Sequence, residues 1–176
     1  MAQPTIGYHI VKTAYGLWLP GDERGSWSAA WDDQIGFIEP NMLHPGDPVR
    51  KRMATERMIH PPVRLGCEMI AVVVNVLDAC QQASPWSIAA VSIERTHLHL
   101  LMTYNSRDLD GTIKWMTQRM TRAIHECTAH AGPVWAKSKW RAFIFDQPQW
   151  ANTMQYIEAH NVRRGLPPRP YPFITP

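Results

Sequence analysis

Two apolar, partly β-branched runs, Trp86–Ile93 and Thr96–Thr103, are separated clearly only by Glu94-Arg95. So short a break forces the two runs into a tight hairpin. An amphipathic helix is predicted on each side of it. Upstream, Leu65, Met69, Val73, Val76 and Cys80 recur at spacings of 4, 4, 3 and 4, a helical stripe. Pro61 and Pro62 are placed to open that helix, where a missing N–H costs nothing, and Ser84-Pro85 to end it. Downstream, Leu109, Ile113, Met116, Met120, Ile124 and Cys127 mark a second helix from about Leu109 to His130, stopped by Gly132-Pro133. Tyr8–Ala14 alternates as a first strand, and Trp140–Phe145 is a fourth. Pro148 starts a third helix running to about Val162. Gly165-Leu-Pro-Pro168 ends it, and the Pro-rich tail at 167–176 is expected to be extended.

The predicted order is β, long loop, α, β, β, α, β, α. That is an α+β, ferredoxin-like βαββαβ sandwich with an antiparallel sheet and an added C-terminal helix. A chain of 176 residues suits one domain, 1–176, and not two. Within it the segment 16–53 is rich in Gly, Pro, Asp and Trp, and an irregular stretch of that length is usually functional or partly disordered. Apolar residues make up 45% of the chain, which excludes a disordered reading. No apolar run approaches a membrane span and no signal-peptide core follows Met1, so a cytoplasmic protein with no membrane partner is expected. Cys67, Cys80 and Cys127 each lie among apolar residues and read as buried, reduced thiols. The net charge of +3 permits a polyanion partner without demanding one.

His97-Leu98-His99 lies within a strand, so alternation sends both imidazoles to one face. Two imidazoles at this spacing can converge on one divalent ion. A pair of ordinary histidines on a solvated face is the alternative, less natural in mid-strand among apolar neighbours. Tyr156 and His160, four apart, are neighbours on the third helix, on the flank of its core face Trp150, Met154 and Ile157. Spacing alone leaves Tyr156 an ordinary half-buried tyrosine. His125 and His130 are five apart and diverge on a helix, which argues against zinc. Asp22, Asp32 and Asp33 read as turn and cap residues.

The string Arg95-Thr-His-Leu-His-Leu-Leu101 resembles the histidine–hydrophobic–histidine signature of the HUH single-tyrosine transposases, particularly the REP-associated group. Tyr8–Asp22, Gly132–Trp135 with Trp140–Phe145, and Gln155-Tyr-Ile-Glu-Ala-His-Asn-Val-Arg-Arg-Gly-Leu166 are similar to further segments of that family, in the same order. The resemblance covers most of Tyr8 to Leu166. It implies a ferredoxin-like fold, a divalent metal (Mg2+ or Mn2+) on His97 and His99, and Tyr156 as the nucleophile attacking a DNA phosphate. The family's third ligand, usually Asn or Gln one turn after the tyrosine, is His160 here, and Asn161 is a substitute. The implied activity is metal-dependent nicking and strand transfer on single-stranded or hairpin DNA, through a 5′-phosphotyrosine. Relatives act as dimers or monomers, and the sequence does not choose between a homodimer and a monomer.

Basic residues supply an expected DNA footprint: Lys114 and Arg122, with Gln118 and His125, on one face of the second helix; Lys137, Lys139, Arg141, Arg163 and Arg164 around the third; and Arg50-Lys51-Arg52 in the loop. Trp115, Trp135 and Trp140 are placed to stack on unpaired bases. The rival reading is a catalytically inactive hairpin-binding protein that keeps the fold, a reading that the unusual His160 sustains. A metalloenzyme acting on a small molecule has no phosphate-cradling loop to support it.

Overall fold

Near-continuous burial along the three central strand segments, and period-3.6 burial along two helical segments that connect strands, yield a sheet covered by helices on both faces. A computed structural model describes residues 4–27, 31–32, 36–37, 43–106 and 108–174. Strands β1 (Gly7–Thr13), β2 (Ile88–Ile93), β3 (His97–Thr103) and β4 (Trp140–Ile144) form an antiparallel sheet in the order β2-β3-β1-β4. The helices are α1 (Pro48–Glu56), α2 (Cys67–Gln82), α3 (Leu109–Cys127) and α4 (Gln147–Arg163). With α2 joining β1 to β2 and α3 joining β3 to β4, this is the ferredoxin-like arrangement, as the element order predicted.

One sheet face presents Tyr8, Ile10, Ile88, Val91, Ile93, Leu98, Leu100 and Met102 to the buried stripes of α2 and α3. The other presents Ala90 and Leu101 to α4, whose Ile157 is fully buried and whose Trp150 and Met154 pack beside it. Alternation therefore sends Leu98 and Leu100 to the α2/α3 side, and His97 and His99 to the α4 side. Gly7 lies under Trp150, and a Cβ there would collide with the indole ring and the Met102 carbonyl. The helix approaches the sheet closely because that side chain is missing.

Several expectations need correction. Residues 61–66 do not open α2, which starts at Cys67 after Gly66. Val63 donates its N–H to the Tyr15 carbonyl and Leu65 to that of Arg95, so tertiary pairing holds the segment extended. The preceding prolines favour that outcome. Leu77, not Val76, is the fully buried residue in the α2 stripe. Cys80 is buried, whereas Cys67 and Cys127 are exposed at helix ends; the stripe of α3 ends at Ile124. The Pro-rich tail is not a free extended strand. It turns back, Gln81 donates to the Phe173 carbonyl, and Ile174 is buried in the core.

The long loop contains α1 and two short ladders, Ser26–Trp27 with Leu43–His44 and Trp31–Asp32 with Gly36–Phe37. Helix α1 begins at Asp47-Pro48, where the Asp47 carboxylate accepts from the N–H groups of Val49 and Arg50, an N-cap followed by proline at N1. The Asp22 carboxylate accepts from Arg24 and from Lys51 of α1, at 2.6 and 3.2 Å. It ties the start of the loop to that helix, as a turn residue. Asp33 lies outside the described residues, as does the side chain of Asp32. Among the described residues no helix is long and apolar enough to cross a membrane.

Candidate metal and tyrosine site

His97 and His99 emerge from the α4 face of β3, and α4 crosses above them carrying Tyr156 and His160. Ring centroids of His99 and His160 lie 4.6 Å apart, and those of His97 and His99 4.7 Å. One nitrogen from each of the three rings falls in a group no wider than 4.8 Å. The Tyr156 ring lies 4.8 Å from that of His160 and 5.5 Å from that of His99. It is 48% exposed, so a ligand can reach it from solvent. A strand pair and a one-turn helical pair thus meet at one point.

Each imidazole is held from behind. The Glu94 carboxylate, at the end of β2, contacts Nδ1 of His160. A carboxylate can only accept, so Nδ1 carries a proton, and the neutral tautomer with that proton leaves its lone pair on Nε2. That Nε2 is buried with no hydrogen-bond partner among the described groups. Thr96 Oγ1 lies 2.8 Å from Nδ1 of His97, and Nε2 of His9 lies 3.1 Å from Nδ1 of His99. The Nε2 atoms of His97 and His99 face each other at 2.9 Å. This is shorter than the roughly 3.4 Å that two ligands take around a tetrahedral ion at about 2.1 Å, so a small parting of the two rings would admit one. An orphaned ring nitrogen beside that pair fits a divalent cation, and carboxylate-backed histidines are the usual metal ligands.

Electrostatics supports the same fit. Burial pushes His99 down to about 2, with His97, His9, His160 and Arg163 adding to the effect. Burial also pushes His9 down to about 4, helped by His160. His97 is lowered by burial and less so by His160 and Arg24, while Glu94 pulls the other way. At neutral pH these three rings are uncharged, the state in which imidazole binds metal.

Asn161 is wholly buried and directs its amide nitrogen to the backbone carbonyls of Val91 and Pro168 at 2.9 Å each, so it fastens α4 to β2 and to the tail. Its Oδ1 is buried with no hydrogen-bond partner among the described groups. His9 and Glu94 were not anticipated. Each is a single polar residue on a strand or at its end, and no sequence spacing links either to the motif.

The basic residues divide between the two sheet faces. Lys139 and Arg141 pair with Asp110 of α3, at 3.4 and 3.1 Å, and Arg141 stands opposite Ile10 on the α2/α3 side. They do not surround α4 as expected. Lys139, with Lys12, Lys114, Arg122 and Lys137, lines a groove of about 1060 Å3 between α3 and the segment 133–139. Arg122 is paired with Glu126 at 2.8 Å. Lys12 donates its ammonium protons to the carbonyls of Ala136, Lys137 and Ser138, pinning that segment to β1. On α4, Arg163 is exposed and donates to the Ala159 carbonyl of its own helix, while Arg164 donates to the Ile93 carbonyl. Arg50 is buried. Trp135 is buried and unavailable for stacking, Trp115 is half-buried under Arg119, and Trp140 is 43% exposed with its ring 5.1 Å from His9.

No protein-family profile and no curated protein matches the sequence. Solved structures do match. The structure of a REP-associated tyrosine transposase bound to a REP hairpin superposes with a TM-score of 0.55 at 10% identity, over 94% of this chain and 72% of the other. A candidate transposase from Deinococcus radiodurans R1 gives a TM-score of 0.44 at 12% identity, over 90% and 93% of the two chains. The first likeness establishes that the chain has the fold of a tyrosine transposase.

Proposed function

We propose that the chain is a single-tyrosine DNA nickase and strand transferase acting on single-stranded or hairpin DNA. The observation that carries this reading is the convergence of Tyr156 with His97, His99 and His160 at one solvent-accessible point, on a tyrosine-transposase fold. A divalent ion held by these three histidines would neutralise charge on the scissile phosphate and stabilise the transition state.

The chain's own residues do the rest. The Tyr156 oxygen attacks phosphorus, the bond to the 3′ oxygen breaks, and the phenol proton is balanced by the one gained on the departing 3′ hydroxyl. The products are a 5′-phosphotyrosine and a free 3′ end, which can attack in reverse to rejoin strands. Helix α4 orients the phenol, and the buried face of Ile157 and Asn161 fixes that helix. Arg163 is the exposed cation beside the site for a flanking phosphate. Trp140 offers an open ring for an unpaired base, and the groove lined by Lys114, Arg122, Lys137 and Lys139 suits a duplex backbone.

The test is covalent capture. The purified chain incubated with a labelled single-stranded hairpin oligonucleotide and manganese should form an adduct that survives denaturation. Tyr156→Phe should form none. An adduct persisting in that variant, or none with the unaltered chain, would remove the catalytic assignment and favour a hairpin-binding protein.

A further inference from the structure

We propose that this centre is built for a borderline transition ion of the zinc class in preference to magnesium, and that Glu94 is the positioning residue that makes His160 its third ligand. The inference rests on the metal site of the proposed function and names the ion chemistry that its donors select.

All three converging donors are imidazole nitrogens, and no carboxylate belongs to the converging group. Magnesium favours oxygen ligands and sheds water reluctantly. Imidazole favours zinc and its first-row neighbours, with affinity rising from manganese through cobalt and nickel. An amide oxygen at position 160 would suit magnesium, whereas the ring nitrogen present leaves the converging group without an oxygen donor. The change at His160 has a counterpart at Glu94, on a different element. Its carboxylate, 24% exposed in its side chain, contacts Nδ1 of a His160 side chain that is 14% exposed. An anion behind a ligating imidazole fixes its tautomer and strengthens its donor nitrogen. The opposite nitrogen is the buried, unpartnered Nε2. Behind the other ligands stand Thr96 and His9, so all three rings are oriented before any ion arrives.

The experiment is competition binding with the untagged full chain, freed of metal by a chelator and titrated with zinc, manganese and magnesium against a chromophoric indicator. One equivalent of zinc should bind more tightly than manganese, and magnesium should bind at least about 100-fold more weakly than zinc. Glu94→Ala should weaken zinc about 10- to 100-fold. Glu94→Gln, whose amide oxygen still accepts from Nδ1, should lose less. His160→Asn should narrow the gap between zinc and magnesium. Thermal unfolding of each metal-free variant separates loss of the site from loss of the fold. Magnesium binding as tightly as zinc, or Glu94→Ala folding normally with unchanged zinc affinity, would overturn the proposal. Selective zinc binding by a chain that never links to DNA would instead overturn the nicking reading and leave this one standing.

Discussion

Replacing Asn161 with alanine strands the carbonyls of Val91 and Pro168, which now share its buried amide. Losing both bonds inside the fold should lower stability by roughly 2 kcal/mol, read by chemical unfolding. Zinc affinity of the folded protein should be unchanged, because both hydrogen bonds of the side chain go to backbone carbonyls outside the histidine cluster. A strong loss of affinity with no loss of stability would reverse these roles. Adjacent positions on one helix thus have unrelated duties, and sequence could not separate them. His160 and Asn161 both read as candidate ligands, since a helical wheel puts them on neighbouring faces without saying what faces them. His97 and His99 were legible because strand alternation alone fixes their side. Tyr156 needed the family resemblance, and Glu94 and His9 needed coordinates, because their partners lie 66 and 90 residues away.

Among the elements, α4 decides whether the site exists. It contributes Tyr156 and His160 to the proposed centre, whereas β3 contributes His97 and His99. Gly7 admits Trp150 against β1, and Ile157 fills the remaining contact. Gly7→Val should push Trp150 outward and shift α4. The expected result is a folded protein with weakened zinc binding and little adduct formation, checked by circular dichroism alongside the binding titration. Full activity in that variant would show that α4 is positioned by other contacts. The strands and three of the helices could be read from periodicity, with boundaries within a few residues except at the start of α2. That boundary failed because the pairing of Val63 and Leu65 with Tyr15 and Arg95 is a long-range event that no local window contains. Helix α1 was missed although Asp47-Pro48 announces it, the surrounding Gly and Pro having masked a short, weakly amphipathic turn of chain.

At the scale of the whole molecule, a buried histidine cluster sets how stability responds to acid. An unfolded histidine takes up a proton near pH 6.5, whereas folded His9 stays neutral down to about 4 and His99 to about 2. Below pH 6.5 the unfolded chain therefore binds more protons, and stability falls as pH falls. The metal-free protein should lose thermal stability progressively from about pH 6.5 to about pH 4, measured by melting in matched buffers at constant ionic strength. A flat profile across that window would show that the rings are hydrated in solution. Overall architecture was the most legible level, because a hairpin flanked by two amphipathic helices leaves few topologies. The division of basic residues between two sheet faces was the least, since charge in a sequence carries no direction.

The site is shared between a strand in the middle of the chain and a helix near its end, and this gives it a history during synthesis. A ribosome that has released β3 has made two ligands and no nucleophile. The sheet cannot be completed until β4 emerges, and the centre cannot close until the last long helix has docked. A fragment that stops before α4 therefore keeps His97 and His99 but lacks His160 and Tyr156, and the four-residue cluster forms only once that helix has packed on the sheet.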